Sequence, residues 1–280
     1  MLEEAMSAAF APPRLRERQF IAIRDLVHRI CGINLHEGKE GLVQSRLGRQ
    51  LRLLGLSDFD VYLEHVRADT TGKALSDLVD ALTTNKTSFF RESRHFDLLR
   101  DEVVPALLAR QRRIRVWSAG CSSGEEPYTL GMVLRQAIPS RTALDVRILA
   151  TDLATPVLEK ARQATYEETV VGDVPDPYRR TYFKCVRREP PRLYSVTDDI
   201  RGLVQFARLN LMDPWPMRGP LDVIFCRNVM IYFAKSTQER LIARFSELLA
   251  PGGHLFVGHS ESLSGISHSL SYVQPAVYVK

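Results

Sequence analysis

The chain has 280 residues, of which 45% are apolar and 25% charged, and a formal net charge of +5. At this length a chain buries roughly 75% of the surface its unfolded form exposes, so one large or two smaller domains need no disulfide or metal staples, and a disordered or fibrous protein is excluded. No apolar run approaches the ~20 residues that span a bilayer, and the opening MLEEAMSAAFAPPRLRER lacks the continuous apolar stretch of a secretory signal.

The four cysteines, Cys31, Cys121, Cys185 and Cys226, are scattered without a CxxC pair. This argues against a zinc site or a disulfide framework and fits a reduced, cytoplasmic compartment. The net charge hints at an acidic partner but is too small to name nucleic acid.

Residues 1–13 read as a frayed lead-in ending at Pro12-Pro13. From about 15 to 85 the apolar spacing is helical. Phe20, Ile23, Val27 and Ile30 form one stripe, and Gly38 and Gly41 bracket a break. Val43, Leu47, Leu51 and Leu54 form the buried face of a second helix. Ser57-Asp58 reads as the start of a third, and Leu75, Leu78, Val79 and Leu82 mark a fourth.

After about residue 110 the rhythm changes to that of an open parallel α/β sheet. RIRVWSAG, VRILATD, VQFARLNL, LDVIFCRN and HLFVGHSE read as strands, with AVYVK as a last segment. EPYTLGMVLRQAI, TPVLEKARQAT and STQERLIARFSELLAPGG read as helices, the last stopped by Pro251 and Gly252-Gly253. The stretch from Tyr166 to Arg201, with the β-like pieces YFKCV and RLYSV, is either a surface excursion or a small inserted antiparallel subdomain.

The turn after the first of these strands reads Gly120-Cys121-Ser122-Ser123-Gly124-Glu125-Glu126. Small residues there let the backbone approach a ligand at the carboxyl edge of a sheet. No Lys-Ser or Lys-Thr follows Gly124, which excludes a Walker-type phosphate loop. The two carboxylates would repel phosphate but could hold an ammonium or sulfonium cation, or could simply favour a helix N-terminus. Asp152, 32 residues after Gly120, stands where an acid accepts hydrogen bonds from ribose hydroxyls; it also suits a helix N-cap, and both can hold together. A nucleoside with a positive centre and no phosphates is S-adenosylmethionine, and the pattern suggests a methyltransferase.

The blocks TTNKTSFFRE (83–92), VWSAGCSSGEEPYTLGM (116–132), LATD (149–152), IFCRNVMIYF (224–233) and LFVGHSESL (255–263) resemble, in the same order, those of the bacterial chemotaxis receptor glutamate methyltransferases, the CheR family. The resemblance covers about residues 15 to 280. It implies a Rossmann-like S-adenosylmethionine-dependent methyltransferase domain at 111–280, with a small antiparallel β-subdomain inserted at about 170–202. An all-helical receptor-docking domain at 1–85 and a linker and helix at 86–110 precede it.

The same resemblance implies roles for single residues. Asn85, Thr87 and Arg91 match a linker that closes over the cofactor. Glu126 matches the contact to the methionine end, with Glu125 not excluded, and Asp152 matches the ribose-binding acid. Asn210 and Leu211 match the adenine end, Arg227 and Asn228 the reacting end, and Arg91 with Tyr232 the pair that positions the substrate carboxylate. The expected substrate is a glutamate on the cytoplasmic helical bundle of a transmembrane chemoreceptor, and the expected products are a glutamyl methyl ester and S-adenosylhomocysteine. No metal, nucleic acid or membrane insertion is expected, and the chain is expected to be a monomer.

His259, Ser260 and Glu261 lack a nucleophile elbow and read as structural. The loop CVRREPPRLY carries Pro190-Pro191 and no glycine, so tethering of a receptor C-terminal peptide by the β-subdomain is expected to be absent or weak. Between Arg14 and Arg52 there are nine Arg or Lys against four Asp or Glu, which equals the whole-chain excess. Arg46, Arg49 and Arg52, at spacings of three, are expected to face away from the apolar stripe as a docking surface for an acidic receptor helix. A nucleic-acid methyltransferase would instead need an aromatic pocket for a flipped base, where IFCRNVMIYF offers Arg and Asn. A non-catalytic cofactor-binding module is the third possibility.

Overall fold

The computed structural model describes residues 13–83, 85–139 and 144–280; the lead-in expected at 1–13 lies outside them except for Pro13. The chain forms two compact units, Met1–Thr84 and Asn85–Lys280. Among the described residues no helix is long and apolar enough to cross a membrane.

The first unit consists of helices α1 (Glu17–Cys31), α2 (Glu40–Leu54), α3 (Phe59–Ala68) and α4 (Lys73–Leu82). Phe20, Ile23 and Val27 are buried as their spacing predicts, with Cys31 rather than Ile30 closing the stripe one helical turn on. Helix α2 starts at Glu40, so Gly41 falls in its first turn and the break ends before it. Val43, Leu47 and Leu51 are fully buried, but Leu54 is 49% exposed because it sits in the last turn, beside the Gly55 cap.

The arginine face also needs correction. Arg46 lies beside Val43 and Leu47 on the helical wheel rather than opposite them. Its Nη1 donates to the carbonyls of Leu82 (2.6 Å) and Thr83 (3.1 Å), satisfying acceptors that the end of α4 leaves open. Arg49 and Arg52 lie further round and are exposed.

Asp58 caps α3 and ties it to α1. Its carboxylate accepts from the Asp60 N–H (2.6 Å), Gln19 Nε2 (3.0 Å) and Arg16 Nη2 (2.6 Å). The Asp60 N–H, and after it Arg16, hold this carboxyl below the usual aspartate range against the opposing effect of burial.

In the second unit, two short helices, α5 (Arg94–Leu98) and α6 (Val104–Leu108), are joined through a π-helical stretch, Leu99–Val103. A seven-stranded sheet follows, in the order β6-β2-β1-β7-β8-β10-β9. Its strands are β1 (Arg113–Ala119), β2 (Asp145–Asp152), β6 (Val204–Arg208), β7 (Leu221–Cys226), β8 (Leu249–Val257), β9 (Ser271–Gln274) and β10 (Val277–Val279). The first five in chain order are parallel; β10 runs antiparallel to both β8 and β9, so the sheet is mixed rather than wholly parallel. Strand β9 is short and exposed, and the alternation that would announce it is missing. The last long helix ends at Leu248, and β8 begins at Leu249, ahead of the Pro251 and Gly252-Gly253 stop.

Alternate residues of the central strands feed two cores. Val116, Ile148, Val223 and Phe225 pack on one face with Tyr128, Leu130 and Val133 of α7 (Glu125–Ala137) and with Phe96 and Leu99. Trp117, Ile224 and Leu255 pack on the other face with Leu241, Ile242 and Phe245 of a helix at Lys235–Leu248. A strand buried on both faces explains why LDVIFC is apolar almost throughout.

The small antiparallel sheet has the order β3-β5-β4, with β3 at Thr165–Glu167, β4 at Phe183–Arg187 and β5 at Leu193–Val196. It therefore takes in residues upstream of the 170–202 expected for the insertion. Tyr166 anchors it: its ring is buried against Phe89 and its hydroxyl donates to the Ser123 carbonyl (2.8 Å).

Removing the Asp58 cap gives the fold a direct test. Asp58→Ala is expected to lower stability by about 1 kcal/mol at pH 7. Because the folded carboxyl titrates below the unfolded value of about 3.9, that difference should be fully present above roughly pH 5 and vanish as pH falls through the folded value. Urea unfolding of both proteins from pH 7 to pH 3 measures it; a difference that does not change with pH would contradict the cap.

Candidate active site

The order β2-β1-β7 makes the gap between β1 and β7 the place where the chain switches sides of the sheet, and ligands of open α/β folds bind at the carboxyl ends of strands there. The turn leaving β1 is drawn across the end of β2, since the Thr151 carbonyl accepts from both the Gly120 N–H (2.8 Å) and the Cys121 N–H (2.9 Å). Gly120 has φ +91°, and a Cβ on it would lie 2.3 Å from Val229 Cγ2, so only glycine lets the two loops meet. Ser122, in left-handed conformation, gives its N–H to Asp152 Oδ2 (2.8 Å) and its hydroxyl to the Asn85 carbonyl (2.8 Å). Asp152 Oδ1 accepts the Ala154 N–H (3.0 Å). The Leu153 N–H also bears on this carboxylate, which with four lone-pair sites still has capacity for a further donor. Burial pushes the Asp152 pKa up, against the pull of these N–H groups.

The two adjacent glutamates of α7 face different surroundings. Glu125 is buried and accepts from Ser123 Oγ (2.7 and 3.0 Å to its two oxygens). Glu126 points to the strand ends instead, accepting from Ser118 Oγ (2.7 Å) and from Arg227 Nη1 (3.2 Å).

Arg227, just past β7, is buried and reaches three partners. Nη1 pairs with Glu126, while Nη2 lies 3.0 Å from Glu92 Oε2 and also donates to the Arg91 carbonyl. The guanidinium carbon stands 5.5 Å from the centre of the Phe96 ring. Its Nε is buried with no partner among the described residues. Burial pushes Glu126 up, against the pull of Arg227 and Ser118. For Glu92 burial also opposes the charge, but Arg227 prevails and the carboxyl titrates below its usual range. His95, fully buried next to them, is pushed down to about 4 by burial and then by Arg227, which keeps it neutral.

The segment after Arg227 is shaped by Glu261, a buried carboxylate that donor-rich backbone surrounds. Its Oε2 accepts the N–H groups of Asn228 (2.7 Å) and Gly258 (2.6 Å), and its Oε1 accepts that of Ile231 (3.1 Å). Asn228 is left-handed (φ 58°), and a Cβ on Gly258 would lie 2.7 Å from Asn228 Nδ2. Phe90 (φ 52°) and Glu92 (φ 57°) are left-handed too, so backbone strain of about 1–3 kcal/mol per residue gathers at this edge.

Among the residues singled out by sequence, these contacts join Asn85 to Asp152 through Ser122, and Glu126 to Arg227 and the Arg91 main chain. The Arg91 side chain is half-buried and donates from Nη1 to the Lys86 carbonyl (2.9 Å), using one of its five N–H donors. Thr87 and Tyr232 are half-buried, Tyr232 at the end of a 3₁₀ turn, Met230–Tyr232, that begins two residues after Asn228. Asn210 turns back on its own loop, accepting the Met212 N–H (3.1 Å) and donating to Asp213 (3.3 Å). Leu211 is buried, and its carbonyl accepts from Trp215 (3.2 Å) and Arg244 (2.7 Å). Sequence reasoning missed Glu92 and the organising role of Glu261. An acid three residues after a strand-end glycine, opposite an Asn that must be left-handed, was the available signal for Glu261.

Glu261→Gln replaces one acceptor by an amide that faces backbone donors, so at least one loop bond is lost. Turnover is expected to fall about 10–100-fold, the equivalent of about 1.5–3 kcal/mol for hydrogen bonds to a charged group, with the far-ultraviolet circular dichroism unchanged. Wild-type turnover in this variant would show that Glu261 does not shape the site.

Comparison with known proteins covers both units. Residues 85–279 match the family described as CheR methyltransferase, SAM binding domain, and residues 18–83 match its all-alpha domain. The chain is 43% identical over 243 residues to a probable chemotaxis protein methyltransferase of Rhizobium etli, covering 86% of this chain and 91% of that protein. It is 43% identical over 260 residues to chemotaxis protein methyltransferase 2 of Pseudomonas aeruginosa, covering 92% and 91%. With the chemotaxis protein methyltransferase of Borreliella burgdorferi it shares 38% over 262 residues, covering 91% of each. A mixed sheet with a carboxylate-lined switch point, a small antiparallel sheet and an all-helical unit therefore have one common source: the chain belongs to the CheR family of S-adenosylmethionine-dependent chemotaxis methyltransferases.

Proposed function

We propose that the protein transfers the methyl group of S-adenosylmethionine to glutamate side-chain carboxylates of chemoreceptors, giving glutamyl methyl esters and S-adenosylhomocysteine. The observation that carries this reading is the charge of the switch point. Glu92 and Glu126 meet there on Arg227, and Asp152 accepts from the Ser122 N–H in the turn that leads to Glu126. Such a site suits a ligand with a positive centre and no phosphates. Glu126 fits the cationic methionine end, the unpartnered Arg227 Nε fits a carboxylate of the same ligand, and Asp152 keeps acceptor capacity for ribose hydroxyls. Asn85, Thr87, Asn210, Leu211 and Asn228 complete the cofactor-binding set in this reading.

The bound cofactor supplies a methyl group activated by its attachment to a sulfonium. The acceptor glutamate, with an ordinary pKa near 4.3, is already ionised at neutral pH and needs no general base. Its oxygen forms a bond to the methyl carbon as the carbon–sulfur bond breaks, the electron pair stays on sulfur, and no proton moves. The chain must therefore orient the carboxylate at roughly 3–3.5 Å and strip part of its water. Arg91 has donors to spare for this task, and Tyr232 supplies a hydroxyl. Too strong an ion pair would blunt the nucleophile, which favours a half-buried arginine over a buried one. Loss of one charge per ester is the signal on the receptor helix.

For the helical unit, Arg49 and Arg52 on the exposed side of α2 fit an acidic receptor helix, with Arg46 shaping the unit rather than the docking face.

Incubation with methyl-labelled S-adenosylmethionine and receptor cytoplasmic fragments tests the proposal. Label is expected on receptor glutamates as alkali-labile ester, and Arg91→Ala is expected to reduce it at least tenfold, about 1.4 kcal/mol. Label on nucleic acid, or none on any receptor, would sink the substrate assignment. Undiminished transfer by Arg91→Ala would sink the role of that residue alone.

A further inference from the structure

Beside Arg227, Glu92 is joined by two histidines, His95 and His259, that take no part in methyl transfer. Glu92, His95 and His259 each bring a ligand-type atom to one point, and these atoms all lie within 4.8 Å of one another. Glu92 Oε2 is 3.6 Å from His95 Nδ1 and 3.9 Å from His259 Nε2. The two imidazole rings meet edge to face, with centroids 4.9 Å apart.

The arrangement is built, not incidental. Glu92 is held left-handed at φ 57°, and its carboxylate accepts the main-chain N–H of His259 (3.3 Å). His259 follows Gly258, which Glu261 pins in place. An ion pair with Arg227 accounts for Glu92, but it does not account for His95. That ring is 1% exposed, and neither of its nitrogens makes a hydrogen bond of normal geometry, although the Pro275 carbonyl lies close. A buried imidazole turned toward a main-chain carbonyl, with its other nitrogen facing a carboxylate and a second imidazole, is the usual setting of a metal ligand.

We propose that Glu92, His95 and His259 form a binding site for one divalent transition-metal cation of the zinc class. Two imidazoles and a carboxylate suit such an ion rather than calcium or magnesium. With bonds of about 2.0–2.1 Å, the ligand atoms of a tetrahedral ion stand roughly 3.3 Å apart, so the two pairs involving Glu92 need to close by about half an ångström and the two imidazoles, within 4.8 Å of each other, by at most about 1.5 Å through rotation of the half-exposed His259. The His259 side chain is 50% exposed, which gives the ion a way in and a water for its fourth position. The scattered cysteines argue only against a thiolate site. Because the ion and Arg227 approach the same oxygen of Glu92, occupancy loosens the Arg227 pair. On the reading that this pair supports the cofactor-binding carboxylate Glu126, metal binding is then antagonistic to cofactor binding.

The test uses the full chain stripped with a chelator and then titrated with Zn²⁺ against a chromophoric competitor, with Co²⁺ as a spectroscopic stand-in. Expected are one ion per chain and the intense visible bands of four-coordinate Co²⁺. His259→Ala, at a half-exposed position that should not disturb folding, is expected to weaken binding roughly 10–100-fold. Cys185→Ser, which removes the exposed thiol, should change nothing. Absence of one-to-one binding, binding unchanged in His259→Ala, or binding lost in Cys185→Ser would each overturn the site. Calorimetry of S-adenosylmethionine with and without Zn²⁺ tests the coupling separately. A severalfold loss of affinity in the wild type that disappears in His259→Ala is expected, and equal affinity with and without the ion would overturn the antagonism while leaving the site standing.

Discussion

A guanidinium taken out of water must be matched on the spot, and the match here gathers segments far apart in sequence. Arg227 leaves β7, meets Glu126 from the first turn of α7, and meets Glu92 and the Arg91 carbonyl from the segment that opens the second unit. Removing one partner from such a buried pair typically costs about 3–5 kcal/mol, because the remaining charge is stranded. The contacts therefore act less as a source of stability than as a constraint: the linker segment, the glutamate turn and the end of β7 can be folded only together. The same constraint sets the electrostatics. With two carboxylates sharing one arginine, and Asp152 held by main-chain N–H groups nearby, the switch point favours a positive centre.

The remainder of the second unit supports that arrangement mechanically. Strands buried on both faces give the edge a rigid base, with Trp117 and Phe245 packed on one side and Phe225 and Phe256 stacked on the other. Above that base the loops approach more closely than side chains normally allow. Gly120 admits Val229, and Gly258 admits the Asn228 amide. Glu261 converts a loop rich in unpaired N–H groups into a fixed surface by accepting from Asn228, Gly258 and Ile231. The left-handed residues Phe90, Glu92, Ser122 and Asn228 show where strain is held by these contacts.

Much of this was legible in the sequence, and the limits have physical causes. Helical periodicity located Phe20, Ile23, Val27, Val43, Leu47 and Leu51 because burial of one face leaves a period of 3.6. Periodicity could not place Leu54, since a side chain in a last turn has no neighbour beyond it. Nor did spacing alone separate Arg46 from Arg49 and Arg52. The carbonyls that claim Arg46 come from a helix more than thirty residues away. Strand β9 was invisible because an exposed four-residue edge strand needs no apolar alternation. In the site, motif residues such as Glu126 and Asp152 stood out by position after a strand. The pairing of Glu92 and Arg227 did not, since no local pattern encodes a contact across 135 positions.

In the proposed function the Glu126 carboxylate, steadied by Arg227 and Ser118, balances the positive charge of the cofactor. Isothermal titration of S-adenosylmethionine into the wild type and into Glu126→Gln tests it most directly. The amide keeps the shape and one acceptor but loses the charge. Affinity is expected to fall about 10–100-fold, in keeping with about 1.5–3 kcal/mol for a hydrogen bond to a charged group, with the far-ultraviolet circular dichroism unchanged at the assay temperature although the loss of one Arg227 partner lowers unfolding stability. Equal affinity in the two proteins would contradict it.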